Sequence, residues 1–216
     1  MAYKLDLHTH STLSHDGGIP LESYKKILES GLLNYVAVTD HNEIDLALAL
    51  HQELGEQIIV GEEIKTTAGE VIGLFLKKKI SPEQELGETI EQIKGQGGLV
   101  YIPHPFDIRR KGIPKKILEE LIQLVDIIEV FNARNIMPNG NNTVVDFNEK
   151  HSKPFAASSD AHSLGEIGRT YTLTAEAPTV SNLLEQLTNP ELVLRSVSLW
   201  GFLGPKRNKI IKLFRK

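Results

Sequence analysis

Apolar and polar positions along the chain switch between two rhythms, one of period two and one near 3.6, which predicts alternating strands and helices. Tyr3–His8 (YKLDLH) alternates as a strand does, and Tyr35–Thr39 (YVAVT) is a short continuous apolar run of the kind a buried parallel strand shows. Further strands are predicted over Gln57–Lys65, Val71–Leu76, Leu99–Pro103, Asp126–Phe131, Pro154–Ser158 and Tyr171–Thr174. Helical spacing lies between them. It covers Leu21–Ser30, ended by Gly31, and Glu43–Gly55, with Leu46, Leu50 and Leu54 on one stripe. It returns over Pro82–Lys94, Ile113–Leu124 with Pro114 in its first turn, Thr143–His151 and Thr179–Leu187. No internal repeat, low-complexity tract or linker divides the chain.

Strand alternating with helix argues for parallel strands with helices outside. A barrel and a doubly wound open sheet share that local pattern. The placement of polar clusters favours the barrel: DLHTH, TDH, GEE, PHP and SDAH each stand at the C-terminal end of a predicted strand. In a barrel those ends form one ring, the face where active sites sit, whereas an open sheet spreads them along a line.

The first cluster carries the chemistry. Within a strand, His8 and His10 point to one face about 6–7 Å apart and can converge on one ion. Alone, such a pair is equally a strand end with incidental histidines. The rest of the chain supplies Asp16, His41, Glu63, His104, Asp160 and His162, so five of the eight histidines stand at strand ends. His51 and His151 read as solvated helix residues, and His15 as a loop histidine beside Asp16. Asp40 either orients His41 or caps the helix that follows.

Composition narrows the possibilities. A chain of 216 residues, 40% hydrophobic, fits one domain with a substantial core, and a net charge of −4 is not the footprint of a generally basic nucleic-acid binder. The absence of cysteine excludes thiolate ligands, leaving nitrogen and oxygen donors. Such mixtures suit manganese, iron or zinc, with magnesium possible. The start MAYKLDLHTH has no apolar leader core, and no apolar run approaches the ~20 residues of a membrane span. The expectation is a cytoplasmic protein without stable membrane insertion. Ions bridged by a carboxylate sit ~3.5–4 Å apart and can hold a hydroxide between them.

HTHS with SHDGG, then TDH, PHPF and SDAH, in this order, resembles the PHP (polymerase and histidinol phosphatase) family of metal-dependent phosphoesterases. The resemblance covers about Tyr3 to Thr174. GEEIKT, GEVIGLFL, DIIEVFNAR and SDAHSLGEIGRTYT look like its stand-alone branch. It implies a distorted (β/α)7 TIM-like barrel with two or three divalent ions. Carried over by position, His8, His10, Glu63 and Asp160 hold one ion; Glu63 and His104 hold a second; Asp16, His41 and His162 hold a third. Asp16, His41, Glu63 and Asp160 are thereby catalytic as well as ligating. One departure stands in GEVIG, where Glu70 replaces a histidine common in the family; a glutamate there favours a harder ion or leaves the second site weaker.

Phosphoesters also want guanidinium groups. Arg134 and Arg169 are favoured for this, being close to predicted strand ends, with Arg109 and Arg110 undecided between them. The tail Trp200–Lys216 carries six Lys/Arg in its last eleven residues with Ile210, Ile211, Leu213 and Phe214 interleaved. It reads either as an amphipathic helix packed on a barrel spanning 1–199, or as a holder of nucleic acid or an anionic surface. The expected function is hydrolysis of a phosphate monoester or nucleotide phosphate. The alternatives are 5′–3′ exonuclease action on RNA or DNA ends, and a non-catalytic metal-binding regulatory module. The expected partner is a small phosphorylated molecule, a nucleotide or an oligonucleotide.

Overall fold

The structure, a computed structural model, describes residues 2–137, 139–197 and 203–213. Its strands are β1 (Tyr3–Asp6), β2 (Tyr35–Val38), β3 (Ile58–Lys65), β4 (Glu70–Leu74), β5 (Leu99–Ile102), β6 (Ile127–Asn132), β7 (Phe155–Ser158), β8 (Tyr171–Thr174) and β9 (Glu191–Val193). The helices are α1 (Leu21–Glu29), α2 (Asp45–Leu54), α3 (Leu86–Gly95), α4 (Lys115–Leu121), α5 (Gly140–His151), α6 (Leu183–Gln186) and α7 (Gly204–Leu213). One sheet runs in the order β7-β6-β5-β4-β3-β2-β1-β8-β9.

The sheet curls into a nearly closed barrel. Where the parallel strands finish, Thr9 pairs with Ala161, and the His10 amide donates to the Ala161 carbonyl at 2.8 Å. Beside them, Ser159 donates to Asp6 through its amide (3.1 Å) and its hydroxyl (2.5 Å). Lower down, the Thr172 hydroxyl of β8 accepts from the Ala157 amide (2.9 Å) and donates to its carbonyl (3.1 Å), bridging β7 to β8 where no ladder forms. Asp6 is wholly buried in this seam, and burial raises its pKa to about 7 against the opposing pull of Ser159.

The all-parallel expectation is corrected. The pairs β1–β2, β2–β3, β5–β6 and β6–β7 are parallel, but β4 is antiparallel to both neighbours, as is β8. Only Thr66–Gly69 joins β3 to β4, and a parallel return needs a crossover of a dozen residues or more. The reversal puts the first residue of β4, Glu70, at the barrel end where the parallel strands finish, opposite Lys65 in the ladder. Strand β9 was not anticipated. The helix expected over Pro82–Lys94 starts at Leu86, and that over Thr179–Leu187 is reduced to Leu183–Gln186.

Apolar burial forms two layers. The inner cluster joins Leu5, Ala37, Ile59, Ile72, Tyr101, Ile127 and Ala156, plugged by Leu183 and Leu187 at the end where β7 begins. The outer cluster packs the helices, with Leu50, Ile90, Leu118 and Phe147, against alternate strand residues such as Val36, Val38 and Ile128. Because side chains alternate, Glu63 faces the same side as Ile59, Glu70 as Ile72, and Glu129 as Ile127. The inner cluster is thus apolar below and acidic above.

Candidate metal centre

The ladder of β1 ends at Asp6, before the two histidines. They converge all the same. The His8 and His10 Nε2 atoms are 3.0 Å apart, and their convergence is completed by two carboxylates from distant strands. Glu63 Oε2 lies 3.3 Å from each of the two nitrogens, and Asp160 Oδ1 lies 3.5 Å from His8 and 3.2 Å from His10. Donors around a tetrahedral ion bonded at ~2.0–2.1 Å are about 3.3–3.4 Å apart. Five of the six separations among these four atoms, 3.0–3.5 Å, therefore fall near the spacing that such an ion requires.

The donor set tests the fit independently. His8 Nδ1 donates to Glu129 Oε1 at 3.1 Å, which leaves Nε2 as a bare lone pair. His10 Nδ1 meets the Ser14 hydroxyl at 3.4 Å, leaving its Nε2 in the same condition. In that tautomer two lone pairs and two carboxylate oxygens face one another in a buried space, and a metal ion satisfies all four at once. Burial alone would lower both histidines, yet Asp160, Glu63 and Glu129 raise His8 well above its ordinary value, and Asp160 and Glu63 raise His10 to about 10: the carboxylates draw positive charge into this space, whether a proton or a metal ion brings it.

The remaining candidates surround this group. His104 Nε2 lies 3.0 Å from the other Glu63 oxygen, while its Nδ1 is buried without a hydrogen-bond partner. His41 stands between sets, with Nδ1 3.1 Å from Glu63 Oε2 and 3.8 Å from Glu70 Oε1, and Nε2 3.7 Å from Asp16 Oδ1. Asp16 Oδ1 is also 3.4 Å from His162 Nε2. Burial lowers His41 to about 3, with His10 adding to the effect and Glu63 opposing it; His162 is lowered too, chiefly by burial. Burial thus favours the neutral imidazole at both, the form that ligates. Burial, then the adjacent Glu63, raises Glu70 to about 7, and Lys111 Nζ approaches its Oε1 at 3.3 Å. His104 and Asp160 hold left-handed backbones, φ 29° and 50°, strain tolerated where the surroundings fix a functional side chain.

Several supporting residues escaped sequence reasoning. Glu129 is buried and accepts from His8 Nδ1, Tyr101 Oη (3.0 Å), the His104 amide (2.5 Å) and Asn132 Nδ2 (2.8 Å). Burial would raise it, but His8 outweighs that and holds it below the usual glutamate value. Its signal in the sequence is a lone acid inside the apolar run DIIEVF. Neither role expected for Asp40 occurs. It accepts from the Ser11 amide at 2.6 Å and from the Ser11 hydroxyl, pinning the loop after His10, while α2 has no side-chain cap. Gly17 sits where a Cβ would lie 2.1 Å from the Ser11 carbonyl oxygen, so this loop can fold back only on glycine.

Above the cluster opens a cavity of about 650 Å³, with Arg109, Arg110, Lys111, Arg134, Lys206 and Lys209 among its lining. The arginines sort by contact. Arg110 Nη1 binds Asp160 Oδ2 (2.5 Å) and Asn132 Oδ1 (2.8 Å), Nε binds Asp107 (3.0 Å), and Nη2 is buried without a hydrogen-bond partner. Arg109 is exposed at the rim. Arg134 is buried and ion-paired with Glu166, which also accepts from the His162 amide at 2.7 Å. Arg169 is exposed and outside the cavity lining, which corrects its expected role. The left-handed Gly168 before it is packed against Leu32, so the chain has already turned to the outside of the barrel. Helix α7 lies at the cavity mouth; the expected boundary at 199/200 and the end Phe214–Lys216 fall outside the described residues. His51 Nδ1 donates to the Ile58 carbonyl at 2.7 Å, and the His151 ring packs at a tilt against Phe147.

Comparisons with known proteins bear on this arrangement. A family model described as PHP-associated matches residues 138–191. An uncharacterized protein of Methanocaldococcus jannaschii, MJ0417, is 38% identical over 176 residues, spanning 78% of this chain and 69% of that protein. A two-domain protein from Bacteroides vulgatus containing a predicted PHP-like metal-dependent phosphoesterase superposes with a TM-score of 0.69 at 19% identity, over 90% of this chain and 65% of that one. Endonuclease Q, in complex with a 27-mer duplex substrate carrying an abasic lesion at the active site, superposes with a TM-score of 0.58 at 18% identity, over 87% of this chain and 56% of that one. The chain therefore spans about two thirds or less of each of these two structures, and the likeness to them is one of fold.

Proposed function

Because the chain belongs to the PHP-domain family, we propose that it is a metal-dependent phosphoesterase hydrolysing a phosphate monoester or nucleotide phosphate. The observation that carries this is the facing of His8 Nε2, His10 Nε2, Glu63 Oε2 and Asp160 Oδ1 at ligand-to-ligand spacings, beneath a cavity lined by cationic side chains. In this reading those four residues hold one divalent ion; Glu63, His104 and Glu70 hold a second; and Asp16, His41 and His162 hold a third. Manganese, iron and zinc all suit such donors, and magnesium is compatible with the carboxylates. The bound ions supply Lewis acidity and an acidified water. The chain's own residues do the rest. Arg110 Nη2 offers an unspent donor to a phosphate oxygen, Arg134 fixes Glu166 and through it the His162 backbone, and Glu129 holds His8 in the ligating tautomer.

The test is a substrate panel of sugar phosphates, nucleotides, nucleoside bisphosphates and short oligonucleotides, offered to protein of measured metal content. Release of phosphate or nucleotide from some member is expected. Full metal loading with no turnover of any member refutes catalysis and leaves a metal-binding regulatory module. A second reading, 5′–3′ exonuclease action on nucleic-acid ends, is favoured by Lys206 and Lys209 at the cavity mouth and by the DNA-bound Endonuclease Q relative in fold. It requires oligonucleotide binding that weakens steeply with salt. No helix among the described residues is long and apolar enough to cross a membrane.

A further inference from the structure

Helix α7 meets the barrel on two loops, and those loops carry Asp16 and His162. Asn208 Nδ2 donates to the Asp16 carbonyl at 2.9 Å and to the His162 carbonyl at 3.0 Å. One amide nitrogen thus spends both protons on the backbones of two candidate ligands that are distant in sequence. Its seat is shaped for it: a Cβ on Gly18 would lie 2.7 Å from Asn208 Nδ2, so only glycine admits this approach. The neighbouring turns of α7 add to the hold. Lys212 Nζ donates to the Thr12 carbonyl at 2.8 Å and to the Ser14 carbonyl, and Lys209 Nζ stands 3.6 Å from Asp16 Oδ2.

The loop so gripped needs external support. Residues 12–18 form neither helix nor strand, and the loop bearing His162 is likewise irregular. Of the outer donors, His162 Nε2 lies 3.4 Å from Asp16 Oδ1, within the 3.0–3.5 Å span of the inner four, and His41 Nε2 lies further out at 3.7 Å. The inner four stand on barrel ends joined to one another, whereas Asp16 stands on a loop beyond them, which Asn208 joins to the backbone of His162, itself held by Glu166. Holding two ligands at a fixed separation before an ion arrives removes the ordering cost that binding would otherwise meet.

We propose that Asn208 is a positioning residue that completes the outer ion site of Asp16, His41 and His162, making the C-terminal helix part of the metal centre while the inner site of His8, His10, Glu63 and Asp160 forms without it. This rests on the ligand assignment proposed above, but not on the chain being a catalyst. The test uses the full chain and the Asn208→Asp variant, which keeps the side-chain shape and turns two donors into acceptors facing carbonyls. Equilibrium dialysis against Mn²⁺ and separately Zn²⁺, read by elemental analysis, is compared with Asp16→Asn as the reference for loss of the outer site. Asn208→Asp is expected to weaken one ion about 10–100-fold, the range found when a group that orients a ligand is removed. The other ions and the thermal midpoint stay near wild type, and the double variant loses no more than Asp16→Asn alone. Arg207→Gln, an exposed change on the same helix, keeps full stoichiometry. The proposal is overturned by unchanged stoichiometry in Asn208→Asp, by parallel loss of every ion with a lowered midpoint, or by a wild-type chain that never loads the site lost in Asp16→Asn. Failure of phosphoesterase activity with these metal results intact overturns the proposed function alone.

Discussion

Replacing Glu129 by glutamine probes how the inner site is built. The carboxylate takes four donors: His8 Nδ1 at 3.1 Å and Tyr101 Oη at 3.0 Å on Oε1, and the His104 amide at 2.5 Å and Asn132 Nδ2 at 2.8 Å on Oε2. A glutamine must present an amide group to one of these pairs. Facing His104 and Asn132 it would oppose two N–H donors that cannot become acceptors, so its NH₂ turns to the Oε1 side. Tyr101 can rotate its hydroxyl to accept, since Ser158 Oγ lies 2.8 Å away as a second partner. His8 can adapt only by becoming an acceptor at Nδ1, which moves its proton to Nε2 and removes that nitrogen as a ligand. Reverting the tautomer instead leaves two buried donors opposed, a cost of about 1–3 kcal/mol. Either route weakens the inner ion by about 10–100-fold, equivalent to roughly 1.4–2.7 kcal/mol. Competition against a chelator of known affinity measures it, with the thermal midpoint of the metal-stripped protein as a control for folding. Metal affinity in Glu129→Gln equal to wild type would show that His8 does not depend on this carboxylate.

Two further outcomes follow from single side chains. Arg110→Lys keeps the positive charge but loses the forked geometry and the unspent Nη2 donor, so kcat/KM for a phosphorylated substrate is expected to fall about 10–100-fold, the worth of one charge-assisted hydrogen bond, with metal content unchanged; normal kinetics would remove Arg110 from substrate binding. Glu62 faces away from Glu63; burial raises it to about 7, its Oε2 accepts from the Ile80 amide at 2.9 Å, and its Oε1 has no partner. Because the folded state keeps this proton longer than the unfolded chain, nothing is lost below about pH 4.5, stability falls between about pH 4.5 and 7, and the deficit then levels at roughly 3 kcal/mol. Urea unfolding at pH 5 and pH 8 should show Glu62→Gln gaining about 2–3 kcal/mol on wild type between the two. A difference that does not change with pH would show that Glu62 is not held protonated by the fold.

The sequence by itself determined the elements and the chemical identity of the site. Periodicity is local, so the barrel strands and most helices could be read directly, and histidines or acids placed just after an apolar run must emerge at a strand end. His8, His10, His41, His104, Asp160 and His162 could be singled out for that reason, and the lack of cysteine limited their metals. Tertiary structure decided what depends on residues far apart. Glu70 joins the ring because β4 runs backwards, a consequence of a four-residue connection that leaves no room for a crossover. Glu129 acquires its role only when β6 brings it under His8, and Arg110 was separated from Arg169 by the direction two loops take after leaving the barrel. Asn208 is the furthest case: nothing near it in the chain marks it, and only the return of the C-terminal helix places its amide between the backbones of Asp16 and His162. Ligand types are written in local sequence because coordination chemistry selects them residue by residue, whereas their orientation is set by hydrogen bonds across the fold, which no local pattern encodes.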